Sequence, residues 1–247
     1  MTTNVRDSVS HVLAADSRWS VNLSQYGVRK IIFIDESSYQ KLIQIGSGLF
    51  MFAGDGKLID SWKFAIGLAN QFPNAVNWSN MPTTGLAVCA VDRLSGNVMF
   101  DMNHLINDKS VSFAGSGASF AAKCWKENKN AIRAVNTAKN RDVFSGGEVK
   151  YYQVSDGQNN IGLDGPLSGL NKVLGEKGFV MDINVNSTAK PISEVAQNDP
   201  IIRSIANEIA KGNINATAPH EHMNKVWTED EKKELFTAME FFFPKSA

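Results

Sequence analysis

Short groups of hydroxyl, carboxylate, lysine and glycine residues recur along the first three-fifths of this 247-residue sequence. A hydroxyl becomes a good nucleophile only when a neighbouring base takes its proton, and an α-amine, with a reference pKa of about 7.7–8.0, can act as such a base. The GxSxG, GxxxxGKS/T, HExxH and CxxC patterns are all missing from the sequence. The groups lie at predicted strand boundaries: Thr2-Thr3, Ala15–Arg18, Val28–Lys30, Phe52–Asp55, Gly115–Gly117 and Arg141–Gly147.

The histidines offer a second possible chemistry, which is metal binding. His220-Glu221-His222 has metal-ligand spacing, but it lies in a polar stretch with no third ligand nearby in the sequence. We therefore expect a solvated loop there, and we predict neither a metal nor a cofactor.

Apolar periodicity predicts a mixture of short strands and helices. The predicted strands are 11–15, 30–35, 42–53, 85–92, 97–101, 110–114, 147–154 and 179–185. Predicted helices begin at Asp60, at Ala118 (118–139), at Asp199-Pro200 and at the capping box that starts with Thr228. Strands with helices grouped between them favour an α+β layered sandwich over repeated βαβ units.

Composition narrows the function classes. Twenty-five acidic and 25 basic residues balance, so no charge pattern points to nucleic acid or to an anionic membrane. No apolar run reaches the length of a membrane span, the N-terminus lacks a secretory pattern, and Cys89 and Cys124 favour buried thiols over a disulfide. We expect a cytoplasmic protein with a core in residues 1–155. Residues 156–247 are expected to complete the fold and add a helical extension, without forming an independent domain.

The order of the short groups resembles the proteasome β-subunit and HslV family of N-terminal nucleophile hydrolases. The matching region runs from Thr2 to about Val154. The pieces AADSR, VRK and RDxxSGG look like the β-subunit pattern, whereas AGDG and the long C-terminal part look like the smaller bacterial proteasome homologues. The resemblance implies a four-layer αββα sandwich, with two antiparallel sheets between helix layers.

The resemblance also implies a role for particular residues. Thr2 would be the nucleophile and its freed α-amine the proton acceptor, with Lys30 beside the hydroxyl and Asp16 holding Lys30. A backbone N–H at Gly54 would donate to the oxyanion. Three residues would form the polar network around the amine: Ser116, Asp142 and Ser145. Ser20 would align the substrate backbone, and four residues would line the specificity pocket: Trp19, Val28, Phe52 and Gly56.

Each of these residues also has an ordinary structural interpretation. Asp16 could cap a turn, Lys30 could be an edge residue of a strand, and Ser116 could be a helix N-cap. The glycines could all serve turns. Trp19 and Asp55 stand where the family pattern usually has small residues, so the predicted cleft is narrowed and carries an extra acid.

The leading hypothesis is an N-terminal threonine peptidase that cleaves peptides or unfolded proteins inside a homo-oligomeric single or double ring. An ATP-dependent unfoldase partner is conceivable, and no nucleic acid or membrane partner is expected. The mechanism requires removal of Met1, which is normally trimmed before a residue as small as threonine. If Met1 is retained, the alternative is a catalytically silent ring or binding protein. A third possibility is an amidase that acts on a small molecule.

Overall fold

The computed structural model describes residues 2–101, 106–108, 110–184, 187–220 and 223–245. Within these residues, the strands are β1 Asn4–Asp7, β2 Val12–Asp16, β3 Trp19–Asn22, β4 Lys30–Ile34, β5 Leu42–Ile45, β6 Gly48–Asp55, β7 Leu86–Asp92, β8 Val98–Asp101, β9 Ile106–Asp108, β10 Val111–Ala114, β11 Val149–Gln153, β12 Phe179–Asp182, β13 Lys190–Pro191 and β14 Thr217–Ala218. The α-helices are α1 Gly56–Gln71, α2 Ala118–Asn128, α3 Ala131–Lys139, α4 Leu167–Lys177, α5 Ile192–Asn198, α6 Pro200–Ala210 and α7 Glu229–Phe242.

Two antiparallel sheets form the centre of the molecule. Among the described residues, the first sheet has the order β11-β2-β1-β10-β9. The second has the order β13-β12-β4-β3-β14-β6-β7-β8, and β5 pairs with β6 beside this path. The strands that carry the N-terminal candidate residues, β1 and β2, therefore lie in the middle of the first sheet.

Alternating apolar side chains explain how the sheets are stacked. In β2, Val12 and Ala14 pack with α2 and α3, whereas Leu13 and Ala15 pack against residues of the second sheet. The second sheet repeats this division, because Leu49 and Met51 of β6 face the first sheet while its phenylalanines face the helices α1 and α7. A strand sends successive side chains to opposite faces, so each sheet is apolar on both sides. The result is the predicted four-layer sandwich, and the predicted fold class is confirmed.

Several predicted elements have different boundaries in the structure. Residues 42–53 form the hairpin β5–β6, which turns at Gly46 with a φ of 59°, instead of one long strand. The predicted helix 118–139 is split because Lys129 adopts a left-handed φ of 51° and Asn130 caps a new helix. The first helix begins at Gly56, capped by Asp55, four residues before the predicted start at Asp60.

The C-terminal part of the chain contributes to the second sheet and its helix layer. Residues beyond 155 supply β12, β13 and β14 and four of the helices. The predicted caps at Asp199 and Thr228 are both present, the latter as a complete capping box. Among the described residues, no helix is both long enough and apolar enough to cross a bilayer.

Candidate active site

The β1–β2 hairpin brings the N-terminal threonine to Asp16. Asn4 pairs with Ala15, so the preceding residue, Thr3, lies opposite Asp16, whose N–H donates to the Thr3 carbonyl oxygen at 3.1 Å. The Thr2 hydroxyl donates to Asp16 Oδ1. Thr2 and Asp16 are both fully buried. The spacing of fourteen residues is thus that of two paired strands joined by a short turn.

Donors surround both oxygens of the Asp16 carboxylate. The backbone N–H of Thr3 donates to Oδ1 at 2.8 Å, in addition to the Thr2 hydroxyl. Oδ2 accepts from the backbone N–H groups of Arg18 at 3.1 Å and Gly146 at 3.0 Å. A buried carboxylate is stable as an anion only with such partners. Asp16 therefore ties together β1, the end of β2 and the loop that carries Gly146.

A buried lysine completes this cluster, and it is Lys41. Its Nζ donates to Thr2 Oγ1 at 2.6 Å and to Asp16 Oδ1 at 2.9 Å. Burial lowers the pKa of Lys41 below its ordinary value, although Asp16 acts in the opposite direction. A lowered pKa makes the neutral amine accessible at milder pH, so Lys41 can both polarise the threonine hydroxyl and take up its proton.

The prediction that Lys30 stands beside the Thr2 hydroxyl is wrong, because the ammonium group at that place belongs to Lys41. β3 and β4 are antiparallel, with Trp19 opposite Ile34 and Asn22 opposite Ile31. The end of β3 that follows Asp16 therefore faces Ile34. Lys30 lies four residues further along β4, roughly 13 Å away at about 3.3 Å per residue. It pairs instead with Asp182 of β12.

The sequence does carry a signal for Lys41, although this lysine lies outside the short groups that resemble the family. Lys41 directly precedes the apolar strand β5, and its carbonyl oxygen accepts the N–H of Phe52 across the β5–β6 hairpin at 2.8 Å. Treating residues 42–53 as a single strand hid this relation. Recognition of the turn at Gly46 would have placed Lys41 opposite the strand end that carries Gly54.

The three predicted network residues lie together beside the first cluster. The hydroxyl of Ser116 donates to Asp142 Oδ2, and that of Ser145 donates to the same oxygen at 2.6 Å. Ser145 Oγ also lies 2.8 Å from the hydroxyl of Thr3. The structure thus joins the network to the N-terminal strand through Thr3, a residue to which the sequence assigned no role. The backbone packs so closely here that a Cβ on Gly115 would lie 1.7 Å from the carbonyl oxygen of Thr2.

Gly54 lies near the end of β6 and has a φ of 134°. A Cβ at this position would lie 2.1 Å from the carbonyl oxygen of Gly85 on the neighbouring strand. The strand connects to the nucleophile because Asn4 Nδ2 donates to the carbonyl oxygen of Phe52 at 3.0 Å. Both the conformation and the close approach require a glycine at this position.

The predicted substrate-binding residues are placed differently from one another. Ser20 is buried in β3, and its hydroxyl has no hydrogen-bond partner among the described residues.

Trp19 and Phe52 are fully buried in the main core, with Trp19 Nε1 donating to the Tyr39 carbonyl oxygen at 2.9 Å. Val28 packs against the same core, and Gly56 is buried at the start of α1. Trp19, Phe52 and Gly56 are buried and Val28 is half-buried, so the predicted specificity pocket stays a prediction. Trp19 and Phe52 lie on the strand faces that point towards the helix layer.

A second buried lysine braces the residue next to Lys41. Lys63 of α1 donates to the carbonyl oxygen of Gln40 at 2.5 Å and to Asp164 Oδ1 at 2.8 Å. Asp164 Oδ1 also accepts the backbone N–H of Gln40 at 2.8 Å. Burial lowers the pKa of Lys63 to about 8. This bridge fixes both peptide groups of Gln40 and so restricts the backbone that carries Lys41.

Among the residues that the structure describes, His, Cys, Asp and Glu form no group of three arranged for a metal ion. Glu221 and His222 lie outside the described residues, so the predicted solvated loop around the His220 motif stays a prediction.

Comparisons with known proteins identify similar folds. No family model matches the chain, and no curated protein matches it. Among solved structures, HslV from Trypanosoma brucei is 19% identical and covers 60% of this chain and 97% of its own, with a TM-score of 0.38. BPH from Thiobacillus denitrificans, in complex with epoxomicin, is 14% identical and covers 61% of this chain and 96% of its own, with a TM-score of 0.39.

The predicted resemblance to HslV-type proteins is confirmed. It concerns the fold, since identities of 14–19% and TM-scores of 0.38 and 0.39 carry no argument about activity. What the site can do follows from the geometry of the chain itself.

Replacement of the two lysines separates the sequence prediction from the structure. Lys41→Met removes the amine that contacts Thr2, so we expect capture of the N-terminal threonine by an electrophile to slow by roughly 10²-fold or more. Lys30→Met is the matched control and should react like the unaltered protein. The rate is measured by intact-mass analysis over time. Loss of reactivity in Lys30→Met with retention in Lys41→Met would contradict the assignment.

Glycine substitution tests the backbone at the site. Gly54→Ala places a methyl group against the Gly85 carbonyl at an unfavourable φ, and should lower the free energy of unfolding by at least about 2 kcal/mol. Gly67→Ala in α1, where nothing lies within 4 Å of the new Cβ, should raise it by about 0.5–1 kcal/mol. Urea titration gives both values, and equal effects would refute the argument.

The lowered pKa of Lys63 predicts a pH-dependent stability. The unfolded chain, with a lysine pKa of 10.5, binds more protons than the folded chain between pH 8 and pH 10.5. The stability of the unaltered protein relative to Lys63→Met should therefore rise with pH across this window, by about 3 kcal/mol at most. Denaturant titrations at several pH values measure the difference. A difference that stays constant or falls with pH would show that Lys63 titrates normally.

Proposed function

We propose that this protein is a cytosolic N-terminal threonine peptidase that works as a homo-oligomeric ring. The observation that carries the proposal is the buried contact of the Thr2 hydroxyl with both Asp16 and Lys41. Removal of Met1 would leave the α-amine of Thr2 free to act as a proton acceptor. Met1 lies outside the described residues, so its removal is part of the proposal.

The chemistry would proceed by acyl transfer. Thr2 Oγ1 attacks the peptide carbonyl carbon while its proton passes to Lys41 or to the freed α-amine. The N–H of Gly54 donates to the developing oxyanion, where one such donor is typically worth about 2.7–4 kcal/mol. The C–N bond breaks as the leaving amine takes the proton, leaving an ester on Thr2. Water then attacks the ester, and the carboxylic acid product leaves with the threonine hydroxyl restored.

The charges around the nucleophile support this sequence of steps. The ion pair with Asp16 stabilises the protonated form of Lys41. The burial of Lys41 lowers the energy needed to return it to the neutral amine. The network of Ser116, Asp142 and Ser145 supplies acceptors and donors one residue from Thr2. It would orient the α-amine after removal of Met1.

Ring assembly is the less direct part of the proposal. The chain has no net charge to oppose association, and Phe64 and Phe72, at one helix and its end, are 72% and 61% exposed. Large exposed aromatic side chains are favourable contacts between subunits. We expect native mass spectrometry to give a multiple of the 27.0 kDa chain that fits a hexameric or heptameric ring or a pair of such rings.

A second function, a catalytically silent ring or binding protein, is favoured by one observation. Thr2, Asp16 and Lys41 are all shielded from solvent, with side-chain exposures of 0–1% for the ion pair. A substrate can reach Thr2 only after Met1 is removed or other residues move. The proposed enzyme therefore has to be processed or to open, whereas a binding protein does not.

Capture of the N-terminal residue tests the enzyme directly. A peptide epoxyketone reacts with the hydroxyl and the α-amine of the same threonine, so its adduct should form on the processed protein and on Thr2→Ser. It should not form on Thr2→Ala. Unfolded casein and short fluorogenic peptides should be cleaved by the same two reactive versions.

The outcomes separate the alternatives. A mass that includes Met1, with no adduct, would establish the silent protein. An adduct without cleavage of any peptide would favour an amidase that acts on small molecules.

A further inference from the structure

A short segment from the C-terminal part of the chain fills the space between two strands of the site. β14 contains only Thr217 and Ala218, yet it lies between β3 and β6 in the second sheet. Thr217 pairs with Ser20 on one side and with Asp55 on the other, antiparallel in both cases. Among the described residues, no β3–β6 pair bridges this position, so β14 is what connects the two strands.

The contacts of this segment are mainly those of a peptide backbone. Gly56 N–H donates to the carbonyl oxygen of Ala216 at 3.0 Å, and the Thr217 hydroxyl donates to the Ser20 carbonyl oxygen at 3.1 Å. Ala218 lies directly opposite Gly54. The segment therefore pairs with Gly54, the proposed oxyanion donor, and with Ser20, for which the family resemblance implies substrate alignment.

We propose that residues 214–218 are an intrachain ligand of the peptide groove, and that an extended peptide binds by replacing them. This inference rests on the proposed function. A strand that adds to sheet edges is held by main-chain hydrogen bonds, and its alternate side chains meet separate pockets. A substrate of similar shape would restore the main-chain bonds that this two-residue strand gives up, which limits the cost of replacing it.

The side chains of the segment indicate the class of substrate. Ala216 and Ala218 are fully buried in the main core, where the space is that of a methyl group. Thr217 is half-buried and lines a surface hollow of about 520 Å³, together with Val21, Tyr26 and other residues. The groove should accept an extended peptide with small side chains at alternate positions and a larger one at the position of Thr217.

The position of the proposed oxyanion donor fits the same interpretation. β6 connects the groove to the N-terminal strand through the bond from Asn4 Nδ2 to the Phe52 carbonyl oxygen. Ala218 pairs with Gly54, two residues further along the same strand. Withdrawal of β14 would expose the edge of β6 at Gly54, which is where the proposed oxyanion donor lies.

Two electrophiles distinguish the groove from the nucleophile. A tetrapeptide epoxyketone with small side chains needs the groove, whereas a single-residue epoxyketone needs little more than Thr2. Thr217→Pro removes a backbone donor and the side-chain hydroxyl that holds Ser20. We expect the tetrapeptide reagent to label processed Thr217→Pro about tenfold faster than the unaltered protein, and tenfold corresponds to roughly 1.4 kcal/mol. The labelling rate of the single-residue reagent should differ by less than about twofold between the two proteins.

Two further variants keep this test independent of folding defects. Thr188→Pro, in the segment before β13, makes the same chemical change outside the groove and should leave both rates unchanged. Thr217→Val removes only the bond to the Ser20 carbonyl and should raise the tetrapeptide rate by a smaller factor, about twofold, in a protein with an unaltered circular dichroism spectrum.

Hydrogen exchange adds a measurement that needs no change in the groove. In Thr2→Ala, a bound tetrapeptide should speed exchange in residues 214–218, because the segment leaves. Slower or unchanged exchange there, or equal tetrapeptide rates in the unaltered protein and both Thr217 variants, would overturn the inference. Failure of both reagents to label Thr2 in every version would instead overturn the proposed function.

Discussion

The buried contact between Asp16 and Lys41 is the interaction on which this site depends. A carboxylate and an ammonium group removed from water lose solvation that their mutual attraction only partly restores. Asp16 compensates through three backbone donors and a hydroxyl, and these come from the residues just before β1, from the residues after β2 and from the loop at Gly146. Each donor fixes a segment that approaches Thr2. The geometry of the nucleophile and the stability of the ion pair are therefore one constraint.

The same constraint explains why a second layer of polar contacts surrounds the site. Lys41 directly precedes β5. Its side chain is long, so the position of its amine depends on a backbone that is held in place. Lys63 and Asp164 bind both peptide groups of Gln40, and the Lys41 carbonyl accepts the N–H of Phe52. Arg18 performs a similar task beside Asp16, since its guanidinium pairs with Asp35 and donates to the carbonyl oxygen of Val143. Rigid support of this kind is what a pre-organised site requires.

The fold class could be predicted from the sequence because it depends on local patterns. A continuous apolar run such as Val12–Ala15 indicates a strand that is buried on both faces. The capping box at Thr228 marks the start of a helix. The roles of Thr2 and Asp16 were predicted through the family resemblance, and the pairing of β1 with β2 now explains why the two lie side by side.

Other parts of the site depend on tertiary pairing, which local sequence patterns record only in part. Lys30 and Lys41 are both lysines at the start of an apolar strand, and only the register of β4 against β3 excludes the first. The peptide groove depends on the same kind of pairing. β14 joins β3 from about 200 residues away in sequence and β6 from about 160, which no local pattern records. The burial of Trp19 and Phe52 follows from the face of the sheet on which the helices pack.

The most direct test of this account is the titration of Lys41 itself. In the processed protein with carbon-labelled lysines, the nuclear magnetic resonance signal of the Lys41 Cε reports the protonation of Nζ, and Lys41→Met assigns it. The account predicts a Lys41 pKa below the ordinary 10.5, because burial outweighs the stabilising effect of Asp16. A pKa at or above 10.5 would mean that this lysine stays protonated beside Thr2, and it would contradict the role of Lys41 as a proton acceptor.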